Sequence, residues 1–470
     1  MVNDYWQRVL QGMLFMLLCI AWGGAVAWAG PKDIQTSMDF SLFKLGTTAP
    51  VVLVVGGIQG DEPGGFSAAT LLATRYRVHA GTLWVVPNLN FPSIVQRSRG
   101  IHGDMNRKFA RLDTTDPEYS TVSRIQGLIR ASEVRLVLNL HDGSGFFRHQ
   151  HEGPLFNPAR WGQAVIIDQE HMDDRSVFLS HLSGLADRVT QYANAALLQD
   201  KHKYHVRNTR TAQGDREMEK SLSWYAVRHG KAAFGLEASK EFAIDMRVYY
   251  HLRLVEGFLR EAGVHFERDF ELSPHGVAAA LQSDLSVTFA NNRVVLPLED
   301  IRPYVGYLPL PRNGPGPAIG SKPIMAVVPD SGYLNVQYGN RIMTRIRPDW
   351  REMDNGLDSM RVMVDNTEQH VFLGQVLTVR EHFNVSPVEG YRVNAIGVDS
   401  GKADESGMLL TRKHFKERFS LDKSALLYRV EIYKNTAFVG MFLVQFGTKK
   451  QTAQRNCLPS VEGKPTPYGR

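Results

Sequence analysis

Five apolar runs of strand length alternate with amphipathic segments between residues 50 and 263, and this alternation constrains the fold more than any other feature. Strands that are apolar on both faces belong in a sheet covered on both sides by helices, the usual setting of parallel strands. The sequence therefore predicts an α/β fold with a mixed, largely parallel central sheet flanked by helices. The predicted strands are 51–55, 82–87, 134–140, 164–167 and 232–236, and the predicted helices are 64–76, 118–131, 178–198, 221–228 and 242–262.

The pattern changes after residue 271. Short segments of alternating apolar and polar residues are separated there by Pro, Gly, Asn and Asp, a spacing typical of small all-β domains. We therefore predict an α/β domain at 45–268, a β-barrel or sandwich at 271–350, an immunoglobulin-like β domain at 351–450 and a loose tail at 451–470. The predicted β segments are 277–281, 285–289, 324–328, 333–338, 361–364, 371–379, 391–398 and 427–444.

The N-terminal segment has the composition of a secretory signal. Arg8 precedes an apolar run that ends at Trp22, and the small residues Ala27 and Ala29 stand at the positions that determine cleavage. We predict a signal peptide at 1–29, cut after Ala29. The alternative is an uncleaved membrane anchor, but the run is short for a bilayer span of about 20 residues. No later segment is apolar and long enough to span a membrane.

Charge and cysteine content exclude several classes of function. The net charge of +6 is spread over 470 residues without a basic run, so we predict no nucleic-acid partner. The chain has two cysteines, Cys19 and Cys457. Only one thiol remains after signal cleavage, which leaves neither an internal disulfide nor a cysteine metal cluster.

Side chains able to bind a metal follow three of the predicted strands. Gln59 and Glu62 lie in a glycine-containing turn after the first strand, His141 follows residue 140, and Glu237 follows residue 236. In open α/β sheets ligands bind at the carboxyl ends of the strands. A hydrolytic zinc site requires three protein donors and one position left for water. Each feature alone has a structural alternative. The segment Gln59–Glu62 could be only a turn, His141 a hydrogen-bonded histidine at a strand end, and Glu237 a carboxylate in a structural salt bridge.

These residues, in this order, resemble the zinc carboxypeptidase superfamily over about residues 45–265. The resemblance implies Zn²⁺ as cofactor, three ligands for it, a pair that holds the substrate carboxylate and a catalytic base. By position in this sequence, the ligands are Gln59, Glu62 and His141, the pair is Asn106 and Arg107, and the base is Glu237.

One position departs from that superfamily, because Gln59 stands where it has histidine. An amide oxygen can coordinate zinc, but it is a neutral, harder and weaker donor than imidazole. The chain is similar in this glutamine, in its secretory signal and in its trailing β domains to the bacterial periplasmic peptidoglycan D,L-carboxypeptidases that determine helical cell shape. That resemblance implies a periplasmic enzyme that trims murein tripeptides to dipeptides by releasing meso-diaminopimelate.

The resemblance also assigns arginines to the substrate. Arg99 would bind the terminal carboxylate or stabilise the oxyanion, and Arg97 is a weaker candidate for either task. Diaminopimelate has two carboxylates and an ammonium, so Arg148 is a further candidate cation and segment 215–220 a candidate acceptor and lid. The expected partners are peptidoglycan stem peptides, with cell-wall or protein partners for the β domains.

Two other functions are compatible with the sequence. One is a zinc deacylase of small N-acyl amino acids, similar to the aspartoacylases, against which the secretory signal and the β domains weigh. The other is a catalytically inactive cell-wall-binding protein in which Gln59 marks a lost site. The joint presence of Glu62, His141 and Glu237 argues against the second.

Overall fold

The computed structural model describes residues 36–312 and 317–447. It divides into two compact units, Met1–Met353 and Asp354–Arg470. The predicted signal peptide at 1–29, its cleavage after Ala29 and the predicted tail at 451–470 lie outside the described residues.

Seven α-helices and several short 3₁₀ turns occur in the described residues, all of the α-helices in the first unit. The α-helices are α1 (Pro63–Arg75), α2 (Phe91–Gln96), α3 (Tyr119–Arg130), α4 (Leu182–Asn194), α5 (Leu222–Arg228), α6 (Ile244–Glu261) and α7 (Pro274–Gln282).

The strands of the first unit are β1 (Phe43–Gly46), β2 (Val51–Val55), β3 (Tyr76–Ala80), β4 (Thr82–Val86), β5 (Val134–Gly143), β6 (Phe146–Phe147), β7 (Phe156–Asn157), β8 (Ala164–Ile167), β9 (His205–Asn208), β10 (Ala232–Ser239), β11 (His265–Arg268), β12 (Ser286–Phe289), β13 (Val294–Pro297), β14 (Tyr304–Pro311), β15 (Ile319–Gly320), β16 (Met325–Asp330), β17 (Tyr333–Tyr338) and β18 (Arg341–Arg351). Those of the second unit are β19 (Ser359–Val364), β20 (Thr367–Phe372), β21 (Val376–Val379), β22 (His382–Val385), β23 (Arg392–Ala395), β24 (Leu410–Thr411), β25 (Leu427–Lys434) and β26 (Ala437–Phe446).

A seven-stranded mixed sheet forms the centre of the first unit, in the order β1-β4-β2-β5-β10-β8-β9. Strands β4, β2, β5 and β10 run parallel to one another. Strand β1 is antiparallel to β4, and β8 is antiparallel to β10. The predicted fold class, a mixed and largely parallel sheet flanked by helices, is confirmed.

Burial on both faces explains why these strands are so apolar. Every residue of β2 is buried, and in β5 only Arg135 is exposed. Since consecutive strand residues point to opposite faces, helices must cover both sides of the sheet. Helix α6 packs against α1 and α4, and α3 and α5 pack against β5. The five predicted helices are present, although α4 is shorter at both ends than the predicted segment 178–198.

Four smaller sheets complete the described part of the first unit: the two-stranded sheets β11-β3 and β6-β7, the three-stranded sheet β13-β12-β15 and the four-stranded sheet β14-β18-β17-β16. An apolar cluster joins the four-stranded sheet to helices α1 and α2 beside the central sheet. Its buried members are Phe66, Phe91, Ile94, Ile324 and Ala326. This shared cluster is a physical reason for segments 45–268 and 271–350 to lie in one compact unit, and their division into separate domains stays a prediction.

One predicted β segment is wrong. Segment 277–281 lies in helix α7, which begins with Pro274 and is capped by Ser273, whose hydroxyl accepts a hydrogen bond from the Gly276 amide at 3.0 Å. A serine cap followed by proline in the first turn favours helix initiation. The alanines within 277–281 are strong helix formers, and these local signals outweigh the alternating pattern.

The second unit contains two four-stranded sheets, β20-β19-β22-β24 and β21-β26-β25-β23. Their inner faces share one apolar core, which includes Val362, Phe383, Tyr428 and Phe442. Two sheets around one core form a β-sandwich. The predicted segment 371–379 is interrupted between β20 and β21, where Gly374 adopts a positive φ of 84°.

No helix within residues 36–312 and 317–447 has the length and hydropathy needed to cross a membrane.

Candidate active site

Gln59 and Glu62 lie in the turn that connects β2 to α1. Glu62 is the N-cap residue of α1, and both side chains are buried. The turn passes so close to α2 that a Cβ on Gly60 would lie 2.1 Å from the backbone carbonyl of Ser93. Only glycine permits that approach, so the sequence Gln-Gly-Asp-Glu places both side chains at the carboxyl end of the sheet.

His141 and Glu237 lie side by side on adjacent parallel strands. They are register partners in the β5–β10 pair, and both are buried. Each follows the apolar run of its strand, as the sequence predicted, although both strands continue beyond these residues. Parallel pairing therefore brings together two residues separated by 96 positions.

Three donor atoms converge at this point. His141 Nδ1 lies 3.1 Å from Gln59 Oε1 and 3.0 Å from Glu62 Oε2. The Gln59 amide is oriented by its own Nε2, which donates to Asp104 Oδ1 at 2.8 Å and leaves the oxygen facing His141. An imidazole nitrogen, a carboxylate oxygen and an amide oxygen are all donors that zinc accepts, so the residues fit the metal that the sequence predicts.

The amide oxygen is needed to complete this set. Across the described ranges 36–312 and 317–447, no three histidine, cysteine, aspartate or glutamate side chains are grouped as a metal site. Of the three converging donors, only Glu62 and His141 are of those types.

Positive side chains surround the donors. Arg99 Nη1 lies 3.3 Å and Lys240 Nζ lies 3.5 Å from Glu62 Oε1. Asp104 accepts from Arg99 Nε at 3.0 Å and from the Asn106 amide at 2.9 Å. Burial raises the pKa of Asp104, but the Gln59 amide and the Arg99 guanidinium outweigh it and lower that pKa overall. Asp104 thus orients a predicted metal ligand and a predicted substrate arginine.

The carboxyl group of Glu237 has a raised pKa. Burial raises its pKa to about 8, and the nearby carboxylates Glu62 and Asp142 act in the same direction, whereas His141 opposes them. A carboxyl group that gains and loses a proton near neutral pH is suited to general acid–base work.

Asn106 and Arg107 belong to a short 3₁₀ turn, Met105–Arg107. Arg107 Nη1 donates to the backbone carbonyl of Asn106 at 3.0 Å, and Arg107 Nε lies 3.6 Å from Glu217. Asn106 Oδ1 accepts from the Leu222 amide at the start of α5 at 2.9 Å. This bond fixes the orientation of the Asn106 side chain, whose NH₂ group supplies a neutral donor for a ligand.

The cavity around these side chains has a volume of about 260 Å³. The predicted site residues Gln59, Glu62, Arg99, Asn106, Arg107, His141 and Glu237 all line it, and the remaining lining residues are Asn139, Asp142, Gly143, Ser144, Trp161, Ile166, Met218, Ser223, Gly235 and Lys240.

Two predicted substrate residues do not lie in the cavity lining. Arg97 is exposed and ends α2 in a left-handed conformation. Arg148 is buried, and its guanidinium donates to the carbonyls of Phe147, Lys201 and Lys203. These positions give no support to a role in substrate binding, and the three carbonyls explain why an arginine is buried at position 148.

Sequence reasoning missed Lys240, Trp161 and Ser223. Lys240 follows Glu237 by three residues, and that spacing beyond a strand end was the available signal. Trp161 lies in a loop without a pattern, and Ser223 lies in α5, whose predicted helix gave no indication that it reaches the site. The predicted lid segment 215–220 does reach the site, since Met218 lines the cavity.

Family models match most of the described chain. A model described as the catalytic domain of the carboxypeptidase controlling helical cell shape matches residues 19–282, more than half of the 470 residues. A second, described as the C-terminal domain of metallo-carboxypeptidase, matches residues 353–447. None of the curated proteins matches the chain.

Solved structures agree with the family models. The tripeptide-bound cell shape determinant Csd4 of Helicobacter pylori is 40% identical, with a TM-score of 0.81 over 87% of this chain and 100% of that one. The mDAP-bound form of Csd4, named as a D,L-carboxypeptidase, is 41% identical, with a TM-score of 0.80 over 85% of this chain and 97% of that one.

A succinylglutamate desuccinylase/aspartoacylase from Rhodobacter sphaeroides matches 46% of this chain and 57% of its own at 19% identity. Its TM-score of 0.32 is too low to carry an argument. On the family models and the 40% identity to Csd4, the chain belongs to the metallocarboxypeptidase family that controls helical cell shape.

Proposed function

We propose that this protein is a periplasmic, zinc-dependent D,L-carboxypeptidase that converts uncrosslinked peptidoglycan tripeptides to dipeptides by releasing meso-diaminopimelate. The observation that carries the proposal is the convergence of Gln59, Glu62 and His141 on one wall of a cavity that also contains Glu237 and Arg107. The tripeptide- and mDAP-bound structures of Csd4 support the choice of substrate.

The cationic rim of the cavity suits a ligand with several carboxylates. Arg107 presents a planar fork of donors that can hold a carboxylate through two hydrogen bonds. The NH₂ group of Asn106 supplies a neutral donor beside it, and Arg99 supplies a second guanidinium. A cavity of about 260 Å³ accommodates a single amino-acid residue better than a long peptide.

The reaction needs a group that moves a proton at the scissile bond. Glu237 would accept a proton from the attacking water and deliver it to the amine nitrogen of diaminopimelate as the carbon–nitrogen bond breaks. Zinc, when bound by Gln59, Glu62 and His141, supplies Lewis-acid polarisation of the water and of the carbonyl. Burial raises the pKa of Glu237, which favours the protonated form that delivers the proton to the leaving amine.

Hydrolysis of defined muropeptides tests this proposal. The purified protein, residues 30–470, is incubated with diaminopimelate-containing tri-, tetra- and pentapeptides, with and without a chelator, and with zinc added back. We expect chelator-sensitive conversion of tripeptide to dipeptide and free diaminopimelate. Glu237→Gln should lower kcat by about 10²- to 10⁴-fold, the usual contribution of general acid–base catalysis.

A nearby glutamate provides the matched control. Glu241 lies four residues after Glu237, is exposed and does not line the cavity. Glu241→Gln should retain wild-type kcat. If the protein binds zinc and cleaves an N-acyl amino acid but does not hydrolyse the tripeptide, it is a deacylase rather than a carboxypeptidase. Absence of bound metal would favour a wall-binding protein without activity.

Location in the periplasm is proposed from the N-terminal segment and is tested separately. Cell fractionation should recover the protein in the periplasmic fraction with a mature N-terminus at Gly30. Recovery in the cytoplasm with Met1 retained would contradict this part of the proposal without affecting the activity.

A further inference from the structure

A fully buried carboxylate lies directly behind the donor cluster. Asp142, the residue after His141 on β5, has no solvent-exposed side-chain surface. Its carboxylate accepts three hydrogen bonds, from the Gly64 amide at 2.8 Å and from Arg247 Nη1 and His251 Nε2 at 3.1 Å each. The activity proposed above does not use any of these groups as an acid, a base or a ligand.

Asp142 contacts the Glu62 segment from two directions. Its backbone amide donates to Glu62 Oε2 at 3.1 Å, and its carboxylate holds the amide of Gly64, two residues further on. Glu62 is the N-cap of α1 and has no side-chain cap hydrogen bond of its own. Asp142 therefore binds an otherwise unpaired amide of the first helical turn and ties the backbone around Glu62 to the strand that carries His141.

Space at this contact is fully used. A Cβ on Gly64 would lie 2.3 Å from Asp142 Oδ1 and 2.7 Å from the Arg247 side chain. The glycine thus lets the carboxylate approach the start of α1. A shift of Asp142 would be transmitted to Gly64 because there is no gap to absorb it.

Helix α6 supports the carboxylate from the other side. Arg247 and His251 are one turn apart on α6, and the His251 side chain is fully buried. Nε2 of His251 carries the hydrogen, because an ionised carboxylate can only accept. Its Nδ1 is buried without a hydrogen-bonding partner in the described part of the chain, so the bond to Asp142 is what fixes the ring.

We propose that Asp142 is a positioning residue that holds Glu62 and His141 at the separation a metal ion requires, with His251 fixing Asp142. The inference rests on the metal site proposed above. Partners behind the ligands of a metal site change metal affinity by about 10- to 100-fold when they are removed. Affinity for zinc should therefore depend on Asp142 and His251, although neither contacts the ion.

Glu256 offers a control that separates positioning from simple stability. It lies on the same helix α6, is fully buried, and accepts from Tyr76 and from Arg268 at 2.9 Å each. Its hydrogen bonds reach none of the residues that line the cavity. Glu256→Gln should lower the melting temperature of the protein and leave its zinc affinity unchanged.

The experiment measures zinc dissociation constants of the full-length mature protein by competition with a chromophoric chelator, together with the visible spectrum of the Co²⁺-loaded protein and the melting temperature of the metal-free form. Asp142→Asn and His251→Phe should weaken zinc binding by about 10- to 100-fold and alter the Co²⁺ spectrum. His251→Gln, which keeps a donor, should recover most of the affinity lost in His251→Phe.

Three results would overturn the inference and leave the metal site in place. Asp142→Asn could bind zinc as tightly as the wild type, or Glu256→Gln could weaken zinc binding as much as Asp142→Asn does. If Asp142→Asn does not fold, the His251 pair decides, and equal affinities of His251→Phe and the wild type would contradict positioning. Absence of zinc binding by the wild type would instead disprove the metal site itself, and the inference with it.

Discussion

At the scale of single residues, Arg107 and Arg97 are ten positions apart in the sequence and have different surroundings in the structure. Arg107 lines the cavity, whereas Arg97 is exposed and outside it. Arg107→Lys should raise KM about tenfold with little change in kcat, because an ammonium cannot form the two parallel hydrogen bonds of a guanidinium. Steady-state kinetics with the tripeptide measures this.

Arg97→Lys is the matched control for that substitution. It should change neither constant, since among the described residues the Arg97 side chain makes no hydrogen bond to a residue that lines the cavity. An unchanged KM in Arg107→Lys would mean that the positive charge, which lysine keeps, attracts the substrate rather than a specific hydrogen-bonding geometry.

Gly60 is the residue at which backbone approach matters most for the site. Gly60→Ala would place a methyl group 2.1 Å from the Ser93 carbonyl, so the turn or α2 must move. We expect a loss of about 1–3 kcal/mol in the free energy of unfolding, the usual cost of overpacking, and weaker zinc binding. Urea denaturation and chelator competition measure the two effects, and wild-type values in both would contradict the close approach.

At the scale of elements, Gly127 within α3 provides the opposite case. It is exposed, its φ is not positive, and an added Cβ would meet no atom within 4 Å. Gly127→Ala should stabilise the protein by about 0.5–1 kcal/mol, because alanine has less conformational entropy to lose in a helix interior. A lower midpoint of urea denaturation than the wild type would show that α3 is strained at this position.

The turn between β19 and β20 contains a carboxylate, Asp365, that binds three backbone amides. The Asp365 carboxylate accepts from the amides of Arg380, Glu381 and His382. Burial raises the pKa of Asp365, but these three amides outweigh it and lower that pKa. The resulting stabilisation is complete above the ordinary aspartate pKa of about 4 and is lost as the pH falls through the lowered folded value.

Asp365→Asn should therefore destabilise the second unit at pH 7 and not at a pH below both values. Urea denaturation of the wild type and the variant at pH 7 and at successively lower pH measures the difference, which should shrink as the pH falls. A difference that keeps its size as the pH falls would show that the side chain acts through its shape rather than through its charge.

Sequence alone predicted the elements whose signal is local and regular. The runs 51–55 and 164–167 match β2 and β8 in length, because a strand buried on both faces leaves no polar position. Segment 277–281 failed because a serine cap and alanines outweigh alternation. Register could not be predicted, since the pairing of His141 with Glu237 depends on strand order in the assembled sheet.

At the scale of the whole molecule, two compact units with separate apolar cores should unfold in two steps. The donor cluster lies in the first unit, so a ligand that binds only the folded form stabilises that unit alone. Calorimetry of the full-length mature protein should show two transitions, and removal of zinc by a chelator should lower the melting temperature of only one. Two transitions that shift together would show that the units unfold as one.

The residues predicted to bind the metal could be identified from the sequence, whereas the arginines predicted to bind the substrate could be identified only in part. Gln59, Glu62 and His141 follow apolar runs whose ends must meet at one edge of a parallel sheet. Arg97 and Arg148 were chosen for their charge, and a charge pattern does not indicate which way a loop side chain points. Trp161 reaches the cavity through loop geometry, which a single sequence does not encode in a readable pattern.

The oxygen donor at Gln59 has a consequence for the choice of ion. A neutral amide leaves the formal charge of the three donors at minus one, the same as two histidines and a glutamate, so attraction to a divalent cation is not reduced by charge. The donor set is nevertheless harder, with two oxygens and one nitrogen instead of two nitrogens and one oxygen. Harder donors discriminate less against Mn²⁺. Which ion occupies this protein in a cell should therefore depend on the free concentrations of competing metals more than it does in a two-histidine site.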